Sequence, residues 1–334
     1  MPQAPGAVGP RRIGFLGLGH MGLPMAANLV AAGYEVVGYD VVPAALDAAR
    51  GRGIPVAGSA AEAVAGAAVV LTMFPSGGHL LDAYRGASGE DADDAGAAPS
   101  PGTAPGPGAA PGSGPGVGLL AAAAPGTMFL DCSTIDVAQA REAAELAVAA
   151  GHRSVDAPVS GGVVGAEAGT LTFMIGALEE DLELVRPLLE VMGGRLVHCG
   201  GHGAGQAAKI CNNMILGVSM IAASEAFVLG EKLGLSHQAL FDVVSTASGQ
   251  CWAVTTNCPV PGPVPASPAN RDYQPGFAGA LMAKDLGLAV AALEATGVAA
   301  ELGPMAAAIY ERFRDEGGAG RDFSGIITDI RDRS

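Results

Sequence analysis

The sequence predicts an α/β fold: an N-terminal doubly wound sheet followed by an all-α C-terminal domain. Three observations carry this. From Arg12 to His198, short apolar runs alternate with segments of helical spacing, the pattern of βαβ units and a parallel sheet. From Gln206 onward the pattern is nearly all helix, broken only by the Pro-rich stretch Pro259 to Pro268. The length, 334 residues, suffices for two domains. The change of pattern places them at 11–198 and 199–334.

The elements follow in order. RIGFL (12–16) is a buried strand running into glycines. Met21 to Ala32 has helical spacing and stops at Gly33, a helix terminator. YEVVGY (34–39) is a second strand, ending at Asp40. Leu46 to Arg50 is helical. Ser59 with Glu62 forms a capping-box signature before AVAGA. VVLTMF (69–74) is another buried strand. Residues 86–118 interrupt the pattern. They are almost wholly Gly, Ala, Pro, Ser and acid, cannot bury a core, and read as a flexible insertion. A short helix (LLAAAA), a strand at Thr127 to Leu130, a helix at Val137 to Ala150 and a strand at Ser154 to Ala157 come next. TLTFMI (170–175) is rich in strand formers. A helix at Glu180 to Met192 leads to a strand at Arg195 to His198.

Composition excludes several classes. The chain is 49% hydrophobic and 15% charged, far from a disordered profile. A formal net charge of −15 repels phosphate backbones, so no nucleic-acid partner is expected. The five cysteines (132, 199, 211, 251, 258) include no C-x-x-C pair; they read as reduced thiols, and no metal site is expected. The N-terminus lacks an apolar signal segment. The uncharged stretch between Lys209 and Glu225 is shorter than the ~20 residues of a membrane span. A soluble cytoplasmic protein without membrane partners is therefore expected.

Gly17-Leu18-Gly19-His20-Met21-Gly22 fits G-x-G-x-x-G. In a chain with 51 glycines the pattern alone is weak. Its context strengthens it: it follows a strand, opens a helix, and an acid, Asp40, ends the next strand. Gly17 permits the tight turn, Gly19 lets backbone approach a pyrophosphate, and Gly22 allows close helix–strand packing. Helix-terminal amides and dipole favour the phosphates. Asp40 would accept the ribose hydroxyls and repel a 2′-phosphate, so the expected cofactor is NAD rather than NADP. These features define a Rossmann-type domain. Phe74 ends the strand VVLTMF, and Pro75, Ser76 and His79 follow it, at the sheet edge where ligands collect.

Two further clusters carry chemistry. Asp131-Cys132-Ser133-Thr134 ends a strand, and Ser160-Gly161-Gly162 offers backbone amides suited to a carboxylate. Lys209 and Asn213 lie four apart in GQAAKICNN, on one face of a helix. A buried lysine is costly unless paired or chemically employed. Taken alone, Lys209 reads rather as a first-turn residue snorkelling to water.

The ordered motifs GLGHMGLPMAANL (17–29), DCSTID (131–136), DAPVSGGVVGAEAGTLTFM (156–174) and GQAAKICNN (205–213) resemble the β-hydroxyacid dehydrogenase family. Residues 248–289 are similar to its 3-hydroxyisobutyrate branch in particular. The resemblance spans nearly the whole chain outside the first dozen residues and 86–118. It implies NAD-dependent oxidation of 3-hydroxyisobutyrate to methylmalonate semialdehyde, a step of valine degradation, by a homodimer or homotetramer. It also implies Lys209 as general acid/base. Ser133, Ser160, Gly161, Gly162 and Asn213 would hold the substrate. Residues 17–22, Asp40, Phe74, Pro75, His79, Thr134 and Lys284 would hold the cofactor. His79 departs from the asparagine usual there. Tartronate or succinic semialdehyde reductases share the motifs up to Asn213; Asp40 and the Trp252-to-Asp272 region argue against them. A non-catalytic NAD-binding scaffold would usually lack the lysine.

Overall fold

The structure, a computed structural model, describes residues 12–86 and 117–334. Two compact units, Met1–Gln206 and Ala207–Ser334, make up the chain. Nearly all of the segment read as an insertion lies outside the described residues.

In the first unit the order is β1 (Arg12–Leu16), α1 (Gly22–Ala31), β2 (Glu35–Tyr39), α2 (Pro43–Gly51), α3 (Ala60–Val64), β3 (Val69–Thr72), α4 (Gly77–Arg85) and α5 (Leu119–Ala122). Then come β4 (Met128–Asp131), α6 (Val137–Ala149), β5 (Arg153–Asp156), β6 (Val159–Ser160), α7 (Gly162–Ala168), β7 (Leu171–Gly176), α8 (Glu179–Met192) and β8 (Gly193–Gly200). One sheet runs β2-β1-β3-β4-β5-β7-β6, with β8 also on β7. β1 to β5 are parallel. The sheet is mixed rather than parallel throughout, because β7 runs antiparallel to β5 and β6. Period-2 alternation feeds two cores. Ile13, Phe15, Leu71 and Leu130 pack on one face with Met25 and Leu29 of α1 and Leu188 of α8. Leu16, Val70 and Phe129 pack on the other with Leu80 of α4 and Ala143 of α6.

The strand order reverses between β1 and β3, the switch point at which ligands bind in open sheets. Ser59 caps α3 by accepting the Glu62 amide, as its signature predicts. Glu62 reaches back one residue further than expected, to the Gly58 amide at 2.8 Å. Two helices differ from the sequence reading. Residues 77–85 form α4 behind the N-cap Ser76, although they open with paired glycines. Residues 162–168, to which the sequence reading assigned no helix, form α7, with Asn28 Nδ2 of α1 donating to Ala166 O at 2.8 Å. Packing overrides the poor helix propensity of glycine there.

α9 (Ala204–Lys232) begins in the first unit and continues into the second. There α10 (His237–Val244), α11 (Trp252–Thr255), α12 (Gly279–Thr296), α13 (Leu302–Phe313) and α14 (Ile326–Asp332) follow. Met220, Met282, Leu286, Tyr310 and Phe323 form their shared core. By length and composition α9 could cross a membrane, contrary to the reading of its uncharged stretch, but half of its apolar window is buried. It also carries a buried asparagine bonded to a carboxylate, the construction of a core helix.

Candidate active site

The glycine turn has the form its motif demands. Gly17 adopts φ +91°, and a Cβ there would stand 2.3 Å from Met73 O. A Cβ on Gly22 would meet Gly17 O at 1.9 Å. Gly19 faces open space, as close approach of a pyrophosphate requires. No side chain caps the N-terminus of α1. Asp40 does more than the motif foretells: Leu18 N donates to its Oδ2 at 2.7 Å and Val42 N to its Oδ1 at 2.8 Å. The carboxylate thus tethers the turn to the end of β2, and each oxygen keeps a lone pair for a ribose hydroxyl. His20 is exposed and Met21 half-buried at the helix entrance. These residues fit a nicotinamide dinucleotide.

Beside this turn, β3 and β4 are joined at their ends. Asp131 Oδ1 accepts from Thr72 Oγ1 at 2.7 Å and from Ser133 Oγ at 2.6 Å. Ser133 Oγ in turn accepts from Phe74 N at 2.7 Å. The Ser133 hydroxyl proton is therefore committed to Asp131, and binding a substrate carboxylate through it requires that bond to open. Burial pushes the Asp131 carboxyl up to about 6, against the lowering effect of the Ser133 and Thr72 bonds. His79, in the first turn of α4, places Nδ1 2.7 Å from Ser76 Oγ. Pro75 is exposed.

Asp156, at the end of β5, receives Gly203 N at 2.6 Å on Oδ1 and Gln206 N at 3.1 Å on Oδ2. It thereby caps the start of α9, where the helix amides lack intrahelical partners. Gln206 is fully buried. Its Oε1 accepts from Ile135 N at 3.1 Å, and its Nε2 donates to Ser133 O at 2.7 Å. Thr134 lies between these two anchored positions. Ser160 ends β6, and Gly161 and Gly162 follow with φ of +134° and +62°.

In the second unit Lys209 is only 6% exposed, which rules out snorkelling. Burial lowers its pKa; Asp285 opposes this, and Lys284 adds to it. Asn213 Nδ2 donates to Asp285 Oδ2 at 2.6 Å, and Asn213 Oδ1 accepts from Asn212 Nδ2 at 2.9 Å. Lys284 Nζ stands 3.3 Å from Asp285 Oδ1. In sequence Asp285 looks like the surface partner of Lys284, yet it is 3% exposed. Asp285, Gln206, Asp131 and Asp156 are the site groups to which the sequence reading gave no role. The available signal is an acid or amide inside an apolar run.

A turn built for a dinucleotide at the switch point, with a buried lysine on the helical unit, defines an NAD-binding oxidoreductase. The family model described as the NAD binding domain of 6-phosphogluconate dehydrogenase matches residues 12–94 and 114–201. The model described as NAD-binding of NADP-dependent 3-hydroxyisobutyrate dehydrogenase matches 203–330. A Mycobacterium tuberculosis protein described as a probable 3-hydroxyisobutyrate dehydrogenase is 52% identical over 87% of this chain and 88% of its own. A Pseudomonas aeruginosa NAD-dependent L-serine dehydrogenase is 43% identical over 85% of each chain. The solved structure of Mycobacterium tuberculosis 3-hydroxyisobutyrate dehydrogenase with L-serine has a TM-score of 0.83 and 52% identity, covering 96% of this chain and 99% of that one. The chain belongs to the 3-hydroxyisobutyrate dehydrogenase family.

Proposed function

We propose that the protein oxidises 3-hydroxyisobutyrate to methylmalonate semialdehyde with NAD, using Lys209 as general base and, in reverse, as general acid. The observation that carries this reading is the buried Lys209, with Asn213 one turn on and Asp285 behind it. Alcohol oxidation removes a hydride from carbon and a proton from the hydroxyl. The bound nicotinamide ring supplies the hydride acceptor. Burial shifts Lys209 toward the neutral amine that can take the hydroxyl proton. Asn213, with its amide fixed by Asp285 and Asn212, retains one N–H and one oxygen lone pair to orient that hydroxyl.

The substrate carboxylate falls to Ser160 and to the amides of Gly161 and Gly162. Ser133 joins them when its proton turns away from Asp131. Residues 17–22, Phe74, Pro75, His79, Thr134 and Lys284 hold the cofactor. Asp40 selects NAD, although the matching C-terminal family model is named for an NADP-dependent enzyme, because a carboxylate held on two amides opposes a 2′-phosphate. The five cysteines are unpaired, which fits a cytoplasmic enzyme of valine degradation. Exposed Ile215 and Leu229 on α9 fit a homodimer or homotetramer.

L-Serine is the second substrate to weigh, because the structurally similar Mycobacterium protein was solved with it. It shares the CH₂OH–CH–COO⁻ frame and carries an amino group where 3-hydroxyisobutyrate has a methyl. Steady-state kinetics with 3-hydroxyisobutyrate, L-serine, tartronate semialdehyde and succinic semialdehyde, each with the NAD and NADP couples, tests the reading. The highest kcat/KM should belong to 3-hydroxyisobutyrate with NAD. A higher value for another substrate would replace it.

A further inference from the structure

We propose that Gln206 is a positioning residue for the cofactor, acting through Thr134; this rests on the reading of Thr134 as a cofactor contact given above. The Gln206 carboxamide grips the backbone on both sides of Thr134. It donates to the carbonyl of Ser133 at 2.7 Å and accepts from the amide of Ile135 at 3.1 Å. Those two groups belong to the two peptide planes flanking Thr134. Fixing both planes fixes the φ and ψ of Thr134, and with them the direction in which its side chain leaves the backbone.

The grip is itself held firmly. Gln206 is buried, its own amide is tied to Asp156 Oδ2 at 3.1 Å, and Ser133 is anchored on Asp131. Only a side chain offering one donor and one acceptor in amide-like geometry can serve both peptide groups. Methionine keeps the length and apolar volume but offers no N–H or O–H. A glutamate carboxylate accepts from Ile135 but sets an oxygen against the Ser133 carbonyl. A protonated glutamate restores the pair, with O–H donating where N–H did.

The test therefore compares wild type with Gln206→Met and Gln206→Glu. Reduction of methylmalonate semialdehyde by NADH is measured from pH 5.5 to 8.5, with calorimetric NADH affinity at each pH and circular dichroism for folding. Misplacing reacting groups by about 1 Å costs roughly 100-fold, so Gln206→Met should lose about 10- to 100-fold in kcat and bind NADH more weakly at every pH. Gln206→Glu should match that loss at pH 8.5 and return to within about threefold of wild type at pH 5.5 as the buried glutamate protonates. Asp131, Asp156 and His202 are the ionisable groups that face this cluster; the Gln206→Met to wild-type ratio over the same pH range reports their own contribution, and the pH dependence assigned to the introduced glutamate is what Gln206→Glu shows beyond it.

A Gln206→Glu to wild-type ratio that is flat with pH, or a Gln206→Met protein with wild-type kcat and NADH affinity, would overturn the proposal. If Gln206→Met fails to fold, the glutamate ratio alone decides. If wild type does not turn over this substrate, the functional reading fails, and the pH dependence of NADH affinity in Gln206→Glu still decides the role of Gln206.

Discussion

Replacing Asp40 with alanine separates its two tasks. In the structure both oxygens receive backbone amides, from Leu18 at 2.7 Å and Val42 at 2.8 Å. The Val42 amide lies at an exposed position and can turn to water. The Leu18 amide is partly buried, and leaving such a donor unmet costs about 1–3 kcal/mol. The fold should therefore lose about 1–2 kcal/mol, a fraction of a typical domain's stability. NAD binding loses hydrogen bonds from the ribose to a charged acceptor, together with some order in the glycine turn. About 2–3 kcal/mol of lost affinity corresponds to a roughly 30- to 150-fold rise in Kd. NADP has no 2′-hydroxyl to lose from Asp40 and escapes the repulsion of its 2′-phosphate, so the ratio of kcat/KM for NAD over NADP should fall by about tenfold or more. Calorimetric Kd values and kcat/KM for both cofactors measure this. An unchanged ratio in a folded variant would mean that another residue reads the ribose.

Three further outcomes follow from the same geometry. Asp285→Asn removes the charge that raises the Lys209 pKa. That pKa then falls further, so the limb of the oxidation pH profile that needs neutral lysine should move to lower pH; a shift to higher pH would contradict the assignment. Replacing residues 87–116 with a two-residue linker should leave KM and kcat unchanged, because the flanking segments already touch: a Cβ on Gly118 would lie 2.4 Å from the Arg85 carbonyl carbon. Loop-closure entropy should add about 2 kcal/mol of stability, and a large rise in substrate KM would instead identify the segment as a lid. Gly161→Ala, at φ +134° with Leu171 Cδ2 at 3.2 Å, should lose about 1–3 kcal/mol of stability and raise substrate KM; a neutral result would show that this turn is not strained as built.

The strands and the glycine turn were readable because their causes are local. Gly22 is demanded by contacts with Gly17 and Phe15 in its own βαβ unit, Gly17 by the positive φ of the turn as well as by Met73 beyond β3, and alternation along β1 and β3 reports two buried faces. α4 and α7 were not readable, since glycines at 77, 78, 162 and 165 argue against helix, and only packing supplies the compensation. The supports of the site were hidden for another reason. Asp285 meets Asn213 across 72 positions, and Gln206 meets Ile135 across 71. No pattern within one element reveals such a pairing. Lys209 taken alone favours a lysine snorkelling to water, and its burial overturns that reading.

The most direct measurement is the single-turnover rate of Lys209→Met beside its affinity for NAD. Burial holds the folded lysine's pKa below its ordinary value. Its protonated form therefore costs the fold free energy at neutral pH, and that cost disappears only as pH rises past the unfolded pKa. Methionine of similar length should thus fold with a Tm no lower than wild type. Loss of a general acid/base should lower the rate of 3-hydroxyisobutyrate oxidation by about 10²–10⁴-fold, with NAD Kd within about threefold of wild type. A folded Lys209→Met protein that oxidises the hydroxyacid at near wild-type rate would contradict the assignment of Lys209 as the proton-transfer group.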